Sequence, residues 1–258
     1  MNGRSQDGIV GAAHIDDYFN NVIKKHELTR PDKEEDRKNH IRYSHLNYEP
    51  VFFAYPKSGE LDAIVAGITS GNPVYDFTAE DGIQHVLWVV DQEDVINKIT
   101  ASFSKLPSTY VADGHHRTAA AALVGKEMRD ANPNHRGDEE YNYFLAVHFP
   151  DDQLAIMDYN RVVKDLNGKS ESEFLEALRS SFDVVEKGVD CYRPDHLHNF
   201  GMYLGGRWYS LTAKSGTYND ADPIGVLDVT ILSEQILSPV LNIKDLRTDK
   251  RKIGRAHV

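Results

Sequence analysis

Thr109-Tyr110-Val111-Ala112-Asp113-Gly114-His115-His116-Arg117-Thr118-Ala119-Ala120-Ala121-Ala122 is the stretch on which the reading of this chain turns. Thr109 to Ala112 mixes β-branched and aromatic residues and predicts a strand. Asp113-Gly114 interrupts it, and residues 118–128 are rich in alanine, the strongest helix former. A strand that ends in glycine and passes straight into a helix leaves backbone N–H groups without partners at the helix start. Those donors, with the positive end of the helix dipole, favour an anion. Gly114 lets the backbone approach closely, and Arg117 offers a planar fork suited to phosphate or carboxylate oxygens. His115 and His116 add donors that titrate near neutral pH, on a turn expected to be exposed. Asp113 has three readings: a magnesium ligand, a partner that fixes a histidine tautomer, or a plain helix cap. Adjacent helical residues point about 100° apart, which disfavours a metal shared by the two histidines.

Working outward, residues 9–15 and Val51–Tyr55 predict strands, and residues 73–77 and 85–90 a pair of strands joined by Glu80-Asp81-Gly82. Leu61, Ile64, Val65 and Ile68 recur at helical spacing, as do Val95, Ile96, Ile99 and Phe103. Within residues 26–40, Pro31 sits where a first helical turn tolerates it, followed by Asp32, Glu34 and Glu35. Residues 143–149 and 153–157 alternate like a hairpin. Ser170 starts a helix with Phe174, Leu175 and Leu178 on one face, and Gly205-Gly206 turns a second hairpin. A final helix is expected near residues 233–241. Strands and helices alternate loosely among hairpins, so the fold class is α/β with an α+β tendency, a mixed sheet with flanking helices. The expected organisation is an α/β region over 1–168 that carries the turn and an α+β region over 169–251 of the same unit. Residues 252–258 read as a non-native tail and are left out of the fold reading, and both ends read as cut.

Bulk properties narrow the function. The chain has 258 residues, 40% hydrophobic and 27% charged, an ordinary globular balance. No apolar run approaches the roughly 20 residues a membrane helix needs, and the first residues carry no apolar signal region. The one cysteine, Cys191, cannot form an internal disulfide, so a reducing, cytoplasmic setting is expected. A net charge of −11, with only short basic segments, argues against a nucleic-acid partner, which needs a basic face. A local basic pocket for a small anion is compatible with it. Two other places hold candidate chemistry. Asn160 and Arg161 are candidates for a substrate carboxylate or phosphate, and His196-x-His198 is a pair short of further metal ligands.

Gly114-x-x-Arg117-x-x-Ala120 resembles the Gly-x-x-Arg-x-x-Ala nucleotide-binding turn of the ParB/sulfiredoxin superfamily. Gly114-His115-His116-Arg117 resembles the Gly-Cys-His-Arg turn of sulfiredoxin, with histidine where that enzyme has its catalytic cysteine. Asp-Gly-His-His-Arg is similar to the turn of the superfamily's free-serine kinases. Over most of its length the chain resembles the domain of unknown function 1015 family, in residues 25–33, 75–82, 110–118, 159–164 and 227–229. The likeness implies a ParB/sulfiredoxin-like core around the turn and a nucleotide-dependent phosphotransferase acting on a small hydroxyl substrate, foremost free serine. It implies ATP or ADP with magnesium, the phosphates held by Gly114, His115, His116 and Arg117, and the metal by Asp113. It further implies catalytic roles for His116, Asp113 and Glu27, the last as base for the serine hydroxyl. The alternatives are a ParB-like nucleotide-binding and hydrolysing module, or a non-catalytic anion-binding interaction protein.

Overall fold

The computed structural model describes residues 3–26, 29–158, 160–246 and 248–256. Contacts divide the chain into two compact units, Met1–Ile156 and Met157–Val258. Among the described residues no helix is long and apolar enough to cross a membrane.

The first unit runs β1 (Ile9–His14), α1 (Ile15–Phe19), β2 (Ile23–Lys24), α2 (Pro31–Ser44), β3 (Val51–Tyr55), α3 (Gly59–Thr69), β4 (Tyr75–Thr78), β5 (Gln84–Leu87), α4 (Glu93–Phe103), β6 (Thr109–Asp113), α5 (His115–Ala131) and β7 (Tyr143–Pro150). Five strands form a mixed sheet in the order β1-β7-β3-β6-β2. Pairing alternates across it: β1–β7 and β3–β6 are antiparallel, β7–β3 and β6–β2 parallel. β3 alternates as its sequence predicts, with Val51, Phe53 and Tyr55 buried. Val51 and Phe53, together with Val111, Phe144 and Ala146, build the core under α5. The alanine run explains how closely α5 sits, since Ala119, Ala120, Ala121 and Ala122 are all buried. At Gly125 even a methyl would fail to fit, because a Cβ there would lie 2.3 Å from the Tyr141 carbonyl oxygen.

α2 has no fully buried residue; Ile41 packs partly buried against the core, and ion pairs add to its hold. Arg42 forks onto Glu127 of α5 at 2.7 and 2.9 Å, and Lys38 meets Glu35 at 2.7 Å. Pro31 occupies its first turn as the sequence predicts. β4 and β5 pair as the expected two-stranded hairpin.

The second unit holds β8 (Asn160–Val163), α6 (Glu171–Leu178), β9 (Phe182–Gly188), β10 (Asn199–Leu204), β11 (Arg207–Ala213), α7 (Asp228–Leu232) and β12 (Lys252–Ala256). α6 opens with a full capping box, Ser170 with Glu173. β10 and β11 turn through Gly205 and Gly206, both at positive φ, the backbone that a two-residue hairpin loop demands. A core of Phe174, Leu178, Phe182, Leu211, Ile231 and Leu241 packs among these elements.

Two expectations are corrected. Residues 153–157 do not form a hairpin with β7, whose two edges are already taken by β1 and β3. Gln153 instead ends a 3-10 turn (Asp151–Gln153) whose carbonyl accepts from Arg4 and Gln6. The last helix begins earlier than expected, as α7, and continues through a π-helical turn over Ser233–Leu237. Lys252–Ala256 forms a strand paired antiparallel with β8.

Candidate functional site

The site grows from the end of β6. Phe52 pairs with Asp113 but Phe53 with Val111, so Ala112 is an extra residue bulged out of the ladder. Bulges of this kind bend a strand and re-aim the chain beyond it. Gly114 then takes φ 97° and ψ 31°, a left-handed conformation that disfavours any side chain, and α5 starts at His115. Gly114 itself has no side chain with which to cap this helix. The Thr118 hydroxyl bonds back to the Gly114 carbonyl oxygen at 2.9 Å, which closes the first turn from inside. Asp113 is therefore not the N-cap, because Gly114 occupies that position.

Arg117 folds back over the glycine. A Cβ built on Gly114 would lie 3.2 Å from both Nε and Nη2 of Arg117, so the absence of a side chain makes room for the guanidinium. Nη2 donates to Asp113 Oδ2 at 2.8 Å, and Nη1 to Glu49 Oε2 at 3.2 Å and to the Pro50 carbonyl oxygen at 3.0 Å. Both carboxylates are well exposed, with side-chain exposures of 48% for Glu49 and 67% for Asp113. Ion pairs this exposed contribute about 0–1 kcal/mol each. A phosphate group, with more charge and more acceptor oxygens than a carboxylate, can displace them at small cost.

The two histidines do different things. His116 Nε2 accepts the Arg30 backbone N–H at 3.0 Å, which requires a ring whose Nε2 carries no proton. This bond brings the start of α2 to the start of α5. His115, expected on an exposed turn, is buried, and its ring stands edge-on to His26 at 4.4 Å. The reason is topological. β2 runs parallel to β6, so the chain leaving β2 passes the C-terminal end of β6 and covers that ring. Glu27 lies outside the described residues; His26 and Arg30, on either side of it in sequence, both touch the turn.

The remaining candidates lie in the second unit. Asn160 and Arg161 open β8 and pair in register with Ala256 and Arg255. His196 meets Asp195, whereas His198 takes Asp228 Oδ1 at 2.9 Å and packs on Tyr218 at 4.6 Å, so the two histidines serve separate partners. Among the described residues no group of three or more His, Cys, Asp or Glu is arranged to hold a metal ion. Glu49, the Pro50 carbonyl and the Arg30 amide carry no signal in the sequence. They are distant in the chain, and no spacing announces them.

A scan of family models matches residues 1–230 to the family described as protein of unknown function (DUF1015). The chain belongs to the DUF1015 family. Comparison with curated proteins and with solved structures found no match. The DUF1015 match covers the whole Gly114 turn and its neighbours on β3, α2 and β6.

Proposed function

We propose that this chain is a nucleotide-dependent phosphotransferase that acts on a small hydroxyl compound, with free serine as the leading acceptor. One observation carries the reading: Arg117 lies on a left-handed Gly114 at the start of a 17-residue helix. The amides of His116 and Arg117 and the guanidinium offer donors to one anion, and the helix dipole adds to both. The likeness of the turn to those of the ParB/sulfiredoxin superfamily supplies nucleotide and serine.

In this reading the nucleotide phosphates exchange with Glu49 and Asp113 for the Arg117 fork. The serine hydroxyl oxygen forms a new bond to the terminal phosphorus of ATP or ADP, and the bond from that phosphorus to the bridging oxygen breaks. The hydroxyl proton passes to Glu27, a carboxylate of the type such a step needs. His116 holds the start of α2 against the turn through its bond to the Arg30 amide. Asp113, released from Arg117 by that exchange, would hold a hydrated magnesium ion, a cation that usually takes one or two carboxylates beside waters and substrate phosphates. That ion, when bound, would neutralise phosphate charge. The reading uses first-unit residues alone.

Purified protein incubated with ATP or with ADP, magnesium and serine should yield phosphoserine. No product with either donor would sink the kinase reading, and nucleotide hydrolysis that ignores serine would favour a ParB-like module in its place.

A further inference from the structure

A cleft shares Arg117 with the turn. His40 and Ile41 of α2, Tyr48 of the run into β3, Ala121 of α5 and Phe144 of β7 line it together with Arg117. Arg117 thus belongs to both places. Its Nη1 edge meets Glu49 in the cleft wall, and its Nη2 edge meets Asp113 at the turn. Tyr48 packs its ring on His40 at 4.4 Å and is still 52% exposed, which leaves aromatic surface for another ring.

The lining decides what fits. A free amino acid would have to strip water from its ammonium and carboxylate against Ile41, Ala121 and Phe144, which return no hydrogen bonds. A flat heteroaromatic ring loses little there and gains stacking on Tyr48. Charge agrees, since the cations at the cleft, Arg37 and Arg117, outnumber its one carboxylate, Glu49, and match a ligand whose ring is neutral and whose tail is anionic. We infer that this cleft receives the nucleobase of the nucleotide, with its phosphates passing Arg117 to the Gly114 turn. The inference rests on the proposed phosphate site and extends it to the part of the ligand that gives affinity and selectivity. The acceptor hydroxyl compound belongs elsewhere.

Calorimetry on the full chain with ATP, tripolyphosphate and adenosine, repeated on Tyr48→Ala and Tyr48→Phe, tests it. Tyr48 is half exposed, so neither variant threatens the fold. The expected result is that ATP binds tighter than tripolyphosphate. Tyr48→Ala weakens ATP by about fivefold or more, the lower end of base–aromatic stacking. It leaves tripolyphosphate unchanged, and Tyr48→Phe keeps the affinity for ATP. Tripolyphosphate binding as tightly as ATP, or an equal effect of Tyr48→Ala on both, overturns the cleft assignment while the phosphate site stands. Adenosine binding without tripolyphosphate binding supports the cleft and removes the phosphate site. Failure of all three ligands to bind removes both.

Discussion

Gly125→Ala is a substitution whose sign the packing reverses. In the interior of an exposed helix, replacing glycine by alanine stabilises by about 1 kcal/mol, because glycine loses more backbone freedom on folding. Gly125 sits inside α5, but a Cβ there would meet the Tyr141 carbonyl oxygen at 2.3 Å and Ile15 Cδ1 at 3.1 Å. The first neighbour is backbone and cannot rotate away. α5 must therefore separate from the Glu140–Asn142 turn by the better part of an ångström. Arg129 bridges the same seam, to Asn142 at 2.9 Å and to Asp16 at 2.7 Å, and both bonds would stretch. Overpacking of this kind costs about 1–3 kcal/mol, and the strained hydrogen bonds add about 1 kcal/mol. The cost exceeds the gain in helix propensity, for a net loss of about 1–2 kcal/mol or more. Gly67→Ala in α3 is the internal control, because its Cβ would meet nothing within 4 Å and should stabilise by about 0.5–1 kcal/mol. Urea unfolding monitored by circular dichroism measures both. Gly125→Ala as stable as the parent chain, or more so, would refute the close seating of α5 on which the position of the turn depends.

Two further outcomes concern single residues. Gly114→Ala places a side chain at φ 97° and pushes on Arg117, so it should lower stability by about 1–2 kcal/mol in the same urea assay, whereas an unchanged midpoint would mean the turn relaxes freely. Burial beside Phe53 and Phe103 lowers the pKa of His148 from 6.5 to about 4. The neutral ring is then the folded form. Its stability is complete above pH 6.5 and declines as pH falls towards 4, because the unfolded chain takes up the proton first, for a loss of about 3 kcal/mol. His148→Gln should flatten that part of the pH–stability curve, and an unaltered slope would show that other groups cause it.

What could be read from sequence was local. Val51–Tyr55 shows its alternation, Ser170 and Glu173 their reciprocal cap, Pro31 its first turn and Gly205-Gly206 its hairpin, each within a few residues. What could not be read depends on partners far along the chain. The hairpin expected over residues 143–157 does not form because β1 and β3 occupy both edges of β7. β9 has no apolar alternation to announce it, since its run Phe182–Gly188 carries exposed charge through much of its length. At the site, the strand, the glycine and the helix were legible in order. The burial of His115 was not, because the chain leaving β2 covers it. Nor was the hold of Glu49 and the Pro50 carbonyl on Arg117, which arises only when β3 lies beside β6.

Everything functional here requires that phosphate oxygens find the Arg117 fork above Gly114. Titration of tripolyphosphate, which has no ring and no acceptor, into the chain and into Arg117→Ala isolates that contact. The account predicts saturable binding to the parent chain, weakened about tenfold or more in the variant, the scale of a charge-assisted hydrogen bond lost. Equal affinity in both proteins, or no binding to the parent chain, would contradict it.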